Sequence, residues 1–223
     1  MGINKKKIAE YEKKKAAAAK AEKQDKFAKL AAKISIVVAI VAALAVIGVG
    51  IFLGIQNSKV YYADIAIENY GTITVELDRK AAPITVDNFV ELAKSGFYDG
   101  LTFHRIIDGF MMQGGDPEGD GTGDSGKEIK GEFAENGWDN PIKHTRGVIS
   151  MARGKPYDSG SCQFFIVHQD YPSLDGKYAA FGRVISGIEI VDKVCGDAQP
   201  TDGNGTIPPK MQPVITSITI REG

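Results

Sequence analysis

Phe103-His104-Arg105-Ile106-Ile107-Asp108-Gly109-Phe110-Met111-Met112-Gln113-Gly114-Gly115-Asp116 is the stretch of this 223-residue chain whose reading decides the fold. It holds two strand candidates, 102–107 and 110–114. Outward from it, apolar residues alternate with polar ones at Ile65 and Ile67, and at Ile73, Val75 and Leu77, with Asn69-Tyr70-Gly71 as the turn between. Residues 148–152, 164–168, 179–184 and 214–221 add four more candidates. Two helices are expected. Residues 82–94 place Pro83 in the first turn, set Val86, Phe89, Val90 and Ala93 on one side, and stop at Gly96; 187–194 is the shorter. Eight short strands and two helices predict a mainly β fold, a closed antiparallel eight-stranded barrel capped by the helices. Residues 114–147, rich in glycine and acids, predict a structured surface loop.

All nine prolines and 22 of the 26 glycines lie from Val60 onward, in some 164 residues, enough for one sizeable core. Hydrophobic residues make up 43% and charged residues 25%, which excludes a disordered or collagen-like chain. A pI of about 6.3 gives no reason to expect a nucleic-acid partner. With two cysteines, Cys162 and Cys195, a disulfide scaffold and multi-cysteine zinc sites are excluded, while one bridge between them stays open.

The net charge of −1 conceals an asymmetry. Residues 1–33 hold eleven lysines against Glu10, Glu12, Glu22 and Asp25, a balance of +7, and the remainder carries −8. From Ile34 to Ser58 there is no charged residue, and 34–55 is a 22-residue apolar run with one serine. As a helix it would span about 33 Å, enough for a hydrocarbon core of roughly 30 Å. A soluble helix of that length would show a polar face. A cleaved secretory signal has a short basic region and an apolar core of about 7–15 residues, so this pattern favours an uncleaved transmembrane signal anchor. With lysines crowded before the span and only Lys59 close behind it, the N-terminus is expected in the cytoplasm and the C-terminal domain outside. The expected organisation is a basic tail (1–33), the anchor (34–55), a linker (56–61) and a folded domain (62–223).

Several partial motifs need their structural context. Gly121-Thr122-Gly123-Asp124-Ser125-Gly126 fits G-x-G-x-x-G but lacks an evident strand before it and helix after it. Asp116-Pro117-Glu118-Gly119-Asp120-Gly121 resembles the start of a calcium loop, yet Lys127 stands where a bidentate Glu is needed. Gly123-Asp124-Ser125-Gly126, with His104 and Asp116 upstream, raises serine hydrolysis as a rival; such triads are normally assembled from distant segments. His104, His144 and His168 lack metal-ligand spacing, and Cys162 has no base beside it, so structural roles are expected of all four.

The opening stretch resembles the signature of the cyclophilin family of peptidyl-prolyl isomerases. Further matches follow in order: Ser150-Met151-Ala152, Gly160-Ser161-Cys162-Gln163-Phe164-Phe165-Ile166, Leu174-Asp175-Gly176-Lys177 and Phe181-Gly182-Arg183-Val184. The resemblance covers nearly all of 62–221 and leaves the anchor and basic tail outside. It implies Arg105 as the catalytic donor, supported by Gln113. It also implies a proline pocket of Phe110, Met111, Phe165 and Leu174 with Tyr178 at its wall, and a peptide groove lined by Ala152, Arg153 and Gln163. Proline-containing polypeptides are the implied partners, with no cofactor or metal.

These residue types suit that chemistry. Rotation of an X–Pro bond crosses a barrier of about 20 kcal/mol set by amide resonance, and the twisted amide carries a lone pair on the prolyl nitrogen. A fixed cationic donor aimed there binds the twisted state better than either planar one. One charge-assisted hydrogen bond supplies only about 1.5–3 kcal/mol, whereas a 10⁵-fold acceleration needs about 7 kcal/mol, so the pocket must supply the rest. The alternative function is a proline-peptide-binding chaperone or scaffold with little turnover. Three positions depart from the common pattern. Arg153 replaces Asn, where a largely backbone contact predicts tolerance. Tyr178 replaces His. Ser173 replaces the tryptophan that often precedes Leu-Asp-Gly, so cyclosporin binding is expected to be weak at best. The expected role is folding of extracytoplasmic clients by a membrane-anchored isomerase.

Overall fold

Residues 3–58 and 60–223 are described by the computed structural model, which divides into two units at Ile55/Gln56. The first is one helix, α1 (Ile3–Ser58), covering the basic tail from residue 3, all of the apolar run, and residues 56–58 of the expected linker. Lys59 lies outside the described residues. Among those described, this is the one helix long and apolar enough to cross a membrane, by length and composition. Among its described side chains, the apolar Val37, Leu44 and Ile47 are exposed. The single serine of the run returns its hydroxyl to the chain, Ser35 Oγ donating to the Ala31 carbonyl at 3.0 Å. The basic half is held by i,i+4 pairs, Glu22–Lys26 at 2.7 Å and Asp25–Lys29 at 2.6 Å.

The second unit begins with β1 (Tyr61–Ile67) and β2 (Gly71–Leu77), paired from Tyr61↔Leu77 to Ile67↔Gly71. Alternation sends Ala63, Ile65, Ile73 and Val75 into the core. Helix α2 (Pro83–Lys94) buries Val86, Phe89, Val90 and Ala93. The strands β3 (Arg105–Ile107), β4 (Met111–Gly114), β5 (Val148–Met151), β6 (Phe164–Val167) and β7 (Ala180–Ser186) follow. Helix α3 (Ile188–Asp197) and β8 (Ile215–Glu222) complete the unit. The eight strands form one sheet, every pairing antiparallel, in the order β3-β4-β6-β5-β7-β2-β1-β8. α2 packs against β7 and β8, and α3 against β2 and β4.

The expected closed barrel is corrected to an open one. The end strands β3 and β8 do not form a ladder; the chain ahead of β3 meets the start of β8 at the isolated bridge Thr102↔Val214 and where Gly100 N–H donates to the Ile215 carbonyl at 2.8 Å. The reason lies in β3. It is three residues long, and its free edge is taken by residues 205–207: Ile106 N–H donates to the Gly205 carbonyl at 2.8 Å, and Ile207 N–H to the His104 carbonyl at 2.9 Å. Gly205 permits that approach, with φ of +86° and the Ile106 carbonyl oxygen 2.7 Å from where a Cβ would stand.

The segment between β4 and β5 contains one short 3₁₀ turn, Ala134–Asn136, and is anchored by buried Ile129, Glu132 and Phe133. Glu132 supplies what α2 lacks locally. Ala82 offers no side-chain cap, and the Glu132 carboxyl accepts Ile84 N–H at 2.9 Å, Thr85 N–H at 2.8 Å and Thr85 Oγ1 at 2.7 Å.

Strands β4, β5 and β6 are apolar on both faces. Met112, Ile149, Phe164 and Ile166 enter the main core. Met111, Val148, Phe165 and Val167 build a second apolar cluster with Ala180, against which Phe110, Ala152, Leu174 and Tyr178 pack half-buried. Two-sided burial is why these strands appear as apolar runs rather than alternations.

Candidate functional site

The second cluster opens to solvent as a cavity of about 130 Å³, lined by Arg105, Phe110, Met111, Gln113, Ala152, Arg153, Phe165, Leu174 and Tyr178. Nine of the ten expected site residues therefore share one cavity. The tenth, Gln163, lies beside it in an adjoining cavity of about 270 Å³, whose lining also includes Gln113, Ala152 and Arg153.

The hairpin β3–β4 places the polar end. Arg105 and Gln113 are cross-strand partners, so their side chains stand side by side on one face. Arg105 Nη1 donates to Gln113 Oε1 at 3.2 Å and Arg105 Nε to the Asn204 carbonyl at 2.7 Å. Gln113 Nε2 donates to Gln163 Oε1 at 2.9 Å, and Gln163 Nε2 to the carbonyls of Gly123 at 2.8 Å and Gly121 at 3.2 Å. This chain of donors fixes which way each amide points. An arginine on a strand ordinarily pairs with a surface carboxylate. Here both partners are neutral acceptors, and among the described residues none of the ion pairs involves Arg105. Burial pushes its ionisation below the ordinary guanidinium value, with Tyr178 and Asp202 acting the other way. An arginine nevertheless remains a cation at neutral pH. Among the described residues, then, no carboxylate is in ion-pair contact with the charge that faces the cavity.

The apolar end is built from three segments. Phe110 closes the β3–β4 turn, where Gly109 adopts φ of +75°, and lies 4.2 Å from the Tyr171 ring and 6.0 Å from the Arg105 guanidinium carbon. Phe165 on β6 meets Tyr178 edge-on at 5.7 Å and stacks on His144 at 6.1 Å. His144 is held between Asp175 at 3.1 Å and Ser150 Oγ at 3.0 Å. Burial holds its ring below the ordinary imidazole value, against the pull of Asp175.

The Arg153 side chain packs within the wall of the site. Its guanidinium lies 4.8 Å from the Tyr178 ring, 5.0 Å from Phe133 and 5.1 Å from Tyr157, and donates to the carbonyls of Lys177 and Gly154 at 2.9 and 3.0 Å. The two departures Arg153 and Tyr178 are thus one contact.

The rival motifs dissolve. Both Asp116 carboxyl oxygens accept backbone N–H groups, of Glu118 at 3.0 Å and of Asp120 at 3.1 Å. Ser125 Oγ meets Ser161 Oγ at 2.8 Å, and no described hydrogen bond joins it to His104. No helix follows Gly121-Thr122-Gly123. Cys162 and Cys195 are free, and burial pushes their thiols up to about 11 and about 12. Among the described residues, no three His, Cys, Asp or Glu side chains cluster as metal ligands. Sequence reasoning missed Asn204, Tyr171 and His144 as supports of the site. Asn204 lies 99 residues from the arginine it holds, and no local pattern announces a carbonyl contact over that distance.

The model of the family described as cyclophilin type peptidyl-prolyl cis-trans isomerase/CLD matches residues 62–220. The chain belongs to that family. A relative in Helicobacter pylori, named peptidyl-prolyl cis-trans isomerase, is 50% identical over 141 residues, 62% of this chain and 83% of the relative. Peptidyl-prolyl cis-trans isomerase B of Bacillus subtilis is 52% identical over 125 residues, 56% of this chain and 83% of that one. Among solved structures, a cyclophilin of Cryptosporidium parvum crystallised in the presence of the dipeptide Ala-Pro superposes with a TM-score of 0.63 at 31% identity. That likeness covers 73% of this chain and 99% of the other. The cyclophilin-type match leaves out the basic and apolar parts of α1.

Proposed function

We propose that this isomerase is held in the cell membrane by residues 34–55 and rotates X–Pro bonds in polypeptides folding on the extracytoplasmic side. The observation that carries the chemistry is the Arg105 guanidinium, without a carboxylate partner, held by Gln113 and Asn204 at the rim of an apolar cavity. In this reading the proline ring enters among Phe110, Met111, Phe165 and Leu174, and Tyr178 forms a wall. The backbone runs past Ala152, Arg153 and Gln163 toward the adjoining cavity. Arg105 donates to the prolyl nitrogen as resonance breaks. Its two protein hydrogen bonds hold the donor in place beforehand, so little reorganisation accompanies the twist. The cavity's apolar walls disfavour the more polar planar amide relative to the twisted one. That the Cryptosporidium parvum protein was crystallised in the presence of Ala-Pro supports a proline-sized occupant.

Exposure of apolar side chains along α1, and the +7 flank before them, support the anchor and its orientation. Ser173 is exposed on the short turn Pro172–Leu174 and offers neither ring area nor an indole donor, which supports weak cyclosporin binding. The test of the chemistry is exchange NMR on an Xaa-Pro peptide with the full-length protein in detergent. Enhanced exchange that depends on Arg105 supports the reading. Exchange at the uncatalysed rate with the peptide bound would convert it to a binding module.

A further inference from the structure

The turn that carries Phe110 is gripped from behind by one side chain outside the cavity. His168, the residue after β6, is buried. Its backbone N–H donates to the Phe110 carbonyl at 2.8 Å. Its ring Nδ1 accepts the Gly109 N–H at 3.0 Å. An accepting Nδ1 leaves the proton of the neutral ring on Nε2, which faces Asp192 Oδ1 on α3 at 3.0 Å. Asp192 is clamped in turn by Arg146, at 2.6 Å, and Arg146 Nη1 also donates to the His168 carbonyl at 2.9 Å. A strap therefore runs from α3 through the imidazole to the turn at 108–110. Arg105 is oriented by a separate set of partners, Gln113 and Asn204.

We propose that His168 is a positioning residue of the isomerase: through Nδ1 it holds the 108–110 turn, and with it the Phe110 ring. A side chain with no acceptor at the place of Nδ1 would leave the Gly109 N–H unheld and release the turn. The charged and titratable groups facing the ring are Asp108 on the turn, Asp192 and nearby Cys195 on α3, and Arg146 ahead of β5. Asp170 accepts the Arg146 backbone N–H at 2.8 Å. Release loosens one wall of the proline pocket and leaves the donor in place, so binding weakens more than turnover. The proposal rests on Phe110 being a wall of that pocket.

Bond counting supplies the test. The Oδ1 of an asparagine stands two bonds from Cβ, as Nδ1 does, and can accept from Gly109. The Nε2 of a glutamine stands three bonds from Cβ, as the imidazole Nε2 does, and reaches only Asp192. Peptide affinity and saturated exchange rate are measured by NMR on an Ala-Pro tetrapeptide, with the full-length protein in detergent below its melting point. His168→Gln is expected to weaken peptide affinity about tenfold with the saturated rate within about twofold, and His168→Asn to keep affinity within about twofold. Equal effects of the two substitutions, or a loss of affinity of about tenfold in His168→Asn, would overturn the proposal; the second outcome stands even if His168→Gln does not fold. Phe110→Ala separates the two readings. Weakened affinity there with normal His168→Gln sinks the strap alone, whereas unchanged affinity in Phe110→Ala sinks the pocket and the strap with it.

Discussion

Arg105 occupies an uncommon position for its type, buried in part, flanked by neutral acceptors and facing an apolar cavity. If the cation stabilises the twisted amide, Arg105→Ala should lower the saturated rate by two or more decades, roughly 3 kcal/mol, near the upper range for a charged hydrogen bond. Arg105→Lys should recover little, because a flexible ammonium does not reproduce a planar donor held by Gln113 and Asn204. Peptide affinity should change far less, and exchange NMR reads both quantities; full turnover by Arg105→Ala would refute the mechanism. Phe165→Ala should instead weaken affinity, since it removes buried wall. At Ser173 the expectation runs the other way. Ser173→Trp adds an aromatic surface and an N–H donor next to Leu174, which lines the cavity, so cyclosporin inhibition should tighten at least about tenfold while turnover is retained. Nanomolar inhibition of the unaltered protein would show that the ring is not needed. The residues at this scale were largely legible in the sequence, because the cyclophilin signature keeps Arg105, Phe110 and Gln113 within one hairpin. The supports were not: Asn204, Tyr171 and His144 act through a carbonyl, a ring face and a buried ring, none of which has a local signature.

Among the elements, α2 is the most dependent on a distant residue. Its amphipathic face was legible from the spacing of Val86, Phe89, Val90 and Ala93, but its N-terminus has no capping side chain of its own. Glu132, 48 residues from Ile84, takes that place from within the loop. Glu132→Ala removes three hydrogen bonds and leaves backbone N–H groups of the first turn without their acceptor, so a loss of about 2–3 kcal/mol is expected. Urea unfolding of the folded domain measures it. A change below about 0.5 kcal/mol would show that water replaces the carboxyl at no penalty. Strand boundaries shifted for a related reason. The expected strand 102–107 shrank to Arg105–Ile107, since residues 102–104 spend their backbone groups on other segments: Phe103 N–H donates to the Pro213 carbonyl, and the His104 carbonyl accepts from Ile207.

At the scale of the molecule, α1 and the isomerase domain are separate units with separate tests. If residues 34–55 are the uncleaved, outward-facing anchor proposed above, protease added to intact cells should remove the C-terminal domain and leave a small membrane-bound fragment. Release of a shortened soluble domain would mark a cleaved signal, and a domain protected from protease in intact cells would reverse the orientation.

Composition and pattern by themselves determined the division into a charged helix with an apolar run and a β-rich domain. Uncharged length and hydropathy are properties of the chain and need no partner. They also determined the number of strands and two of the helices, since each rests on short-range periodicity, while the set of side chains around the cavity came from the resemblance of several ordered motifs to the cyclophilin family. Only the tertiary structure decided that the barrel stays open, because the edge of β3 is satisfied by a loop 100 residues downstream rather than by β8. It also decided that Arg153 is gripped by three rings and that the Phe110 turn is tied to α3 through His168. Hydrogen bonds and ring contacts of this kind depend on where remote segments meet, and that meeting is set by the packing of the whole sheet.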